Sequence, residues 1–280
     1  MVHIMGKGKK LMKRAKESMK ILKSGKIMVK GDQEIDLTPF IQQSSEEAIV
    51  SRLNGIISKE DVQIEDGAKV VDIDTIIQPL MKTTEVRAQI ASDAEPETII
   101  IPIKKKTAIT AFDFLNIGAL GELLRTSTLA SAYKKIKKDW IEINKDDTTP
   151  FTNVMYVPNV MVFMDLKHGK FRKNPYKVNV LILALPSESQ MIDEDHPDIT
   201  DEQAVYRTIA DIIESAARVG VKKLILDPFD PKILNKERYI SSKSWREALE
   251  SPKVQQFNSI VFSFSNEKKY IVFNAHALTR

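Results

Sequence analysis

The chain contains no cysteine. This excludes disulfides, thiolate metal sites and a cysteine nucleophile, and it fits a reducing compartment. Its four histidines, His3, His168, His196 and His276, are scattered without metal-ligand spacing, so no metal centre is expected. Long apolar runs are also missing. Val178 to Pro186 (VNVLILALP) is typical of the longest and falls far short of the roughly 20 residues needed to span a bilayer. The basic N-terminus has no apolar stretch behind it, so no secretory signal and no membrane association are expected. The expected setting is a soluble intracellular protein of the cytoplasm or nucleus. There is no Walker-type glycine loop, no serine-nucleophile motif and no internal repeat, which leaves common nucleotide-hydrolase and serine-hydrolase signatures without support. Trp140, Trp245, Tyr156, Tyr206 and Tyr239 are too dispersed to form a visible stacking platform.

What is present describes an ordinary globular chain. Of 280 residues, 42% are hydrophobic and 29% charged, enough to bury a sizeable core. The net charge of +4 conceals an asymmetry. Residues 1–30 carry ten Lys or Arg and one acid, Glu17, while the remaining 250 residues hold 32 basic and 37 acidic side chains. The positive charge therefore belongs to one end, as a solvated helix face or as a surface for an anionic partner.

Apolar periodicity predicts a helix over Lys9 to Leu22 ended by Ser24-Gly25, with short strands at Lys26 to Val29 and Ile35 to Leu37. A short helix is expected near Pro39 to Gln43, with Ser44 to Glu47 capping the next one. Residues 62–73 read as a strand or a hairpin, and Asp74 as the cap of a helix reaching Met81. Strands are expected at Val86 to Ile90, Thr98 to Ile103, Val154 to Val157, Val160 to Met164, Val178 to Leu185, Lys223 to Leu226, Ser259 to Phe264 and Tyr270 to Phe273. Helices are expected at Gly118 to Ile136, Glu202 to Val219 and Ser244 to Leu249. Asp193-Glu194-Asp195 with His196 and Asp198 reads as a solvated acidic loop rather than a hard-cation site. Strands alternating with helices give an α/β sandwich with a mixed or largely parallel central sheet.

Four segments follow one another in a set order: residues 13–38 (KRAKESMKILKSGKIMVKGDQEIDLT), 154–186, 208–226 (TIADIIESAARVGVKKLIL) and 257–262 (FNSIVF). The first is similar to the opening helix, glycine turn and strand pair, and the others to later segments in the same order, of a known family, which the chain thereby resembles: the microbial-type poly(ADP-ribose) glycohydrolases. The resemblance implies a macrodomain-like three-layer α/β/α sandwich binding ADP-ribose at the strand ends. On that basis residues 1–60 are expected to be a basic helical extension packed on the core, and residues 61–280 the glycohydrolase-type domain.

The chemistry implied by the resemblance needs a carboxylic acid to protonate the leaving oxygen of a ribosidic bond. It also needs backbone N–H groups free to meet a pyrophosphate. The family supplies these with a "P-G-G-G-F-L" loop, a following "Q-E-E", and a second loop "L-G-A-W-G-C-G-V-F". Here Thr110-Ala111-Phe112-Asp113-Phe114-Leu115 stands at the first loop, keeping Phe114 and Leu115 without the glycines. Of the acid pair only Glu122 is left as a catalytic candidate. Asp227 to Leu234 (DPFDPKIL) stands at the second loop, where Phe229 keeps an aromatic and Lys232 is a candidate phosphate contact. The two prolines remove backbone donors and the aspartates add repulsion. The expected function is a catalytically inactive relative of the glycohydrolases, without a cofactor and with the fold retained for binding or protein interaction. Two alternatives stay open: residual ADP-ribose binding or glycohydrolase activity through Glu122, acting on ADP-ribose or an ADP-ribosylated protein, and binding of nucleic acid or another anionic partner through the basic N-terminal segment.

Overall fold

The structure is a computed structural model and describes residues 2–29, 33–52, 77–80, 96–104, 108–110, 113–115, 119–145, 152–164, 170–186, 201–228, 238–264 and 267–278. A 23-residue helix α1 (Val2–Ser24) leads into a hairpin of β1 (Lys26–Val29) and β2 (Gln33–Asp36). Gly25 makes the turn from α1 into β1 with φ of 70°, and a Cβ there would meet the Thr38 hydroxyl at 2.7 Å, so the position suits glycine alone. The main sheet has seven strands: β3 (Ile49–Arg52), β4 (Ile77–Leu80), β5 (Thr98–Lys104), β6 (Asn153–Met164), β7 (Phe171–Leu185), β8 (Lys223–Leu226) and β9 (Ser259–Ser263), in the order β3-β6-β7-β5-β8-β9-β4. β7, β5, β8, β9 and β4 run parallel, while β6 is antiparallel to both β7 and β3. The mixed central sheet expected from the sequence is present.

Side-chain alternation along the central strands builds two cores, one on each face. Val178, Val180 and Ile182 of β7 with Ile99, Ile101 and Ile103 of β5 face a layer made by α3 (Ala119–Thr126) and α4 (Leu129–Ile143). Leu181, Leu183 and Leu185 with Ile100 face α5 (Asp201–Arg218), α6 (Arg238–Leu249) and α7 (Glu267–Phe273). A strand covered on both sides needs apolar residues at every position, which is why β7 reads as a continuous run. Ile27, Leu37 and Ile41 bind the β1–β2 hairpin and α2 (Thr38–Glu46) to Met161 and Phe163 of β6. The three-layer sandwich follows.

Several local expectations are corrected. Residues 77–80 form a strand, not the end of a helix. β4 is the sheet edge, where Pro79, lacking an N–H, is tolerated, whereas a helix interior would not admit it. Residues 270–273 belong to α7 and run on into a π-helical turn, Asn274–Leu278. Phe273 and Ala277 are both buried there at helical spacing. Ser44 and Ser45 do not start a new helix. α2 continues through them, with the Ser44 hydroxyl donating to the Asn159 carbonyl (3.0 Å) and Ser45 donating back to Ile41 O (2.7 Å).

The expected single helix over 118–136 is instead two. Ser127 leaves the helix to bridge Val162, Thr128 N–H donates to Met161 O (3.0 Å) and Met161 N–H to the Thr128 hydroxyl (3.0 Å). The two strands expected around Pro158-Asn159 are one, β6, with an irregularity where Asn159 adopts φ of 54° and its N–H donates to Asn179 Oδ1 (3.0 Å). The strand or hairpin expected at 62–73, the strand expected at 86–90 and the acidic loop expected at 193–198 lie outside the described residues.

α5 carries a pair of carboxyls with opposite responses to pH. Burial raises the Asp211 carboxyl to about 6, against a hydrogen bond from Thr152 and the nearby Arg207 and Arg218. Burial alone would also raise Glu214, but hydrogen bonds from Lys253 and Arg218 overcome it and hold this carboxyl below its ordinary value. Unfolded Asp211 ionises near 3.8, so between about pH 4 and 6 the folded chain binds more protons and this group's contribution falls as pH rises. Allowing for solvent screening, the loss is on the order of 2 kcal/mol. Glu214 acts in the other sense, its stabilisation being lost as pH falls below 4.5. Asp211→Asn, which keeps an acceptor for Thr152, is expected to melt above the parent at pH 7.5 and to lose that advantage at pH 4.

Candidate functional site

Parallel strands β5 and β8 are neighbours, and the chain leaves their C-terminal ends in opposite directions. From β5 it passes to α3 and α4 on one face of the sheet, and from β8 to α6 on the other. At such a switch point, beyond the carboxyl ends of the strands, open α/β sheets form the crevice in which their ligands bind. Both loops singled out in the sequence, 110–115 and 227–234, start at this switch point.

The first loop closes on itself. Asp113–Leu115 forms a single 3₁₀ turn in which the Asp113 side chain is 4% exposed. Its Oδ2 accepts the Thr110 N–H (2.6 Å) and the Thr110 hydroxyl (3.1 Å), while Asp113 N–H donates to Thr110 O (3.1 Å). This is capping-box chemistry: a carboxylate three residues on takes the N–H of the residue that opens the turn. Nearby, Ile109 N–H donates to the Tyr133 hydroxyl (2.9 Å). The phenol is raised by burial and, further, by the negative charge of Asp113. A backbone donor at the mouth of the loop is thus already matched to an internal anion.

Arg125 fixes the turn from below. It lies on α3, 3% exposed, and its guanidinium donates to the Phe114 carbonyl. Burial lowers its proton affinity, Glu122 opposes that shift and Arg14 of α1 adds to it. One charge cluster therefore joins the turn, α3 and α1. Phe114 is half-buried against the α3–α4 core. Glu122 sits in the first turn of α3, partly exposed, where the helix dipole favours a carboxylate with no catalytic duty. α1 packs across the 113–115 turn and α3.

At the second loop, Asp227 stands 3.8 Å from Lys269, and the Pro228 carbonyl accepts the Trp245 indole N–H (3.2 Å). Phe229 and Lys232 lie outside the described residues. Phe114 and Glu122 share one partner, Arg125, which donates to the Phe114 carbonyl and feels the Glu122 charge. The sequence reading missed Arg125, Tyr133 and Thr110. The Thr-x-x-Asp spacing at 110–113 was a visible capping signal, whereas nothing local marks Arg125 as buried. Among the described residues no group of three His, Asp or Glu is placed to hold a metal ion, and no helix is long and apolar enough to cross a membrane.

No protein-family model and no curated protein sequence matches the chain. Solved structures do. A poly(ADP-ribose) glycohydrolase from Thermomonospora curvata superposes with a TM-score of 0.70 at 17% identity, covering 95% of this chain and 99% of that one. The same enzyme bound to the inhibitor ADP-HPD gives 0.68 at 16% identity, covering 95% and 98%. The Deinococcus radiodurans enzyme in complex with ADP-ribose gives 0.53 at 16% identity, covering 72% and 83%. The chain therefore has the macrodomain-like fold of the bacterial poly(ADP-ribose) glycohydrolases.

Proposed function

We propose that the chain is a non-hydrolytic protein on this fold, whose crevice no longer takes ADP-ribose and whose scaffold serves binding to another macromolecule. The observation that carries the reading is the Asp113 carboxylate bonded to Thr110. An anionic pyrophosphate approaching this loop would meet a buried negative charge and a backbone donor already engaged. Gly121 and Leu123 flank Glu122 in the sequence, so the adjacent acid pair that the resemblance implies is missing, which supports the same reading because glycosidic cleavage ordinarily uses two carboxyl groups. ADP-ribose is the ligand to test, since the Deinococcus radiodurans neighbour is solved with it. Incubation with poly(ADP-ribose) is expected to release no ADP-ribose, and Glu122→Gln to change nothing.

A second reading rests on Glu122 itself, the partly exposed carboxylate of α3 at the crevice. It makes the protein a slow glycohydrolase. Release of ADP-ribose that disappears in Glu122→Gln would establish it and overturn the first reading.

A further inference from the structure

The outer face of α1 is absorbed by neither reading. Its inward stripe, Leu11, Arg14, Ala15, Ser18, Ile21 and Leu22, is buried or half-buried, which leaves the opposite side to solvent. At about 100° per residue, Lys9, Lys13, Lys16 and Lys20 fall within an arc of roughly 60°, centred opposite that stripe. At 1.5 Å per residue they extend over about 16 Å. All four are exposed, and with Met12 and Glu17 they line an open cleft of about 630 Å³. The rest of the chain beyond residue 30 is acidic in balance, so the strip is a local positive pole.

We infer that this strip is a binding site for the phosphate backbone of nucleic acid. A duplex carries about one charge per 1.7 Å of axis, and a straight row of cations on a rigid helix matches such a regular line of phosphates. Insertion into an anionic membrane is disfavoured because the apolar side of α1 is packed inward from Leu11 to Leu22, with Met12 and Met19 the large apolar side chains exposed among the described residues of this helix. The lysines of α4 provide an internal contrast. Lys134, Lys135, Lys137 and Lys138 are also exposed, yet they fan over about 160° and cannot face one ligand together.

The test is fluorescence anisotropy of a labelled mixed-sequence DNA duplex with the full chain. Four phosphate contacts give a slope of log affinity against log salt of about −3.6, so binding weakens about 100-fold from 50 to 200 mM. Replacing Lys9, Lys13, Lys16 and Lys20 by Gln is expected to weaken binding at 50 mM more than about tenfold and to flatten the slope, whereas Gln at the four α4 lysines leaves both close to the parent. Should the quadruple variant melt early, Lys13→Gln with Lys16→Gln serves instead, lowering the slope by about 2. No binding at 50 mM, unchanged binding in the α1 variants, or displacement of the duplex by polyglutamate at equal charge would each overturn the inference.

Discussion

Replacement of Trp245 by alanine is expected to destabilise the protein by about 3–5 kcal/mol and to lower its melting temperature on the order of 10 °C. Trp245 is 1% exposed in the core between the sheet and α6. Its ring meets Phe262 of β9 edge-on at 5.1 Å, and Phe262 in turn meets Phe273 of α7 at 4.7 Å. Truncation removes the aromatic that joins α6 to this chain of rings and leaves a cavity that helices anchored on both sides cannot close. It also strips the Pro228 carbonyl of its indole donor. Trp245→Phe keeps a ring against Phe262 but loses the hydrogen bond and part of the indole volume, for a smaller loss of about 2 kcal/mol. Chemical denaturation of the two variants measures both. An alanine variant within 1 kcal/mol of the parent would mean that α6 is not held by this contact.

The second large effect is expected at Arg125. Arg125→Met preserves the aliphatic stem in the α3 core but removes the donor to the Phe114 carbonyl and the positive partner of Glu122. Deleting one member of a buried charged network costs about 3 kcal/mol. Lysine is a poor replacement because its point charge lacks the planar fork, so Arg125→Lys is expected to recover only part of the loss. A purely apolar role for this side chain would instead leave the methionine variant as stable as the parent. Because Arg125 supports the 113–115 turn, hydrogen exchange of the Thr110 and Asp113 amides should speed up in the methionine variant more than exchange in β7 does.

How far the sequence revealed this architecture depended on whether the decisive partner was near in the chain. β7 was legible because two-sided burial writes an unbroken apolar run, and α5 because its apolar stripe and Gly220, at φ of 73°, mark a helix and its end. The break between α3 and α4 was not legible, because Ser127 and Thr128 are drawn out of the helix by Val162 and Met161, more than thirty residues away. Short apolar runs such as Tyr270 to Phe273 fit either period until the buried partners, Phe262 and Phe264, are known. At the crevice, Glu122 lies in the first turn of a helix, as its position suggested. Asp113 stands in the loop where the resemblance implies glycine, and its carboxylate is bonded back to the Thr110 N–H and hydroxyl. That matters because the Thr110 and Asp113 amides already have partners within the loop and need no ligand to engage them.

Closure of this loop by Asp113 and Thr110 is expected to cost the chain its affinity for ADP-ribose, which isothermal titration of the full chain with that ligand measures. No saturable heat is expected up to about 1 mM, a binding free energy weaker than about 4 kcal/mol, whereas saturable binding near 1 μM, about 8 kcal/mol, would contradict the account.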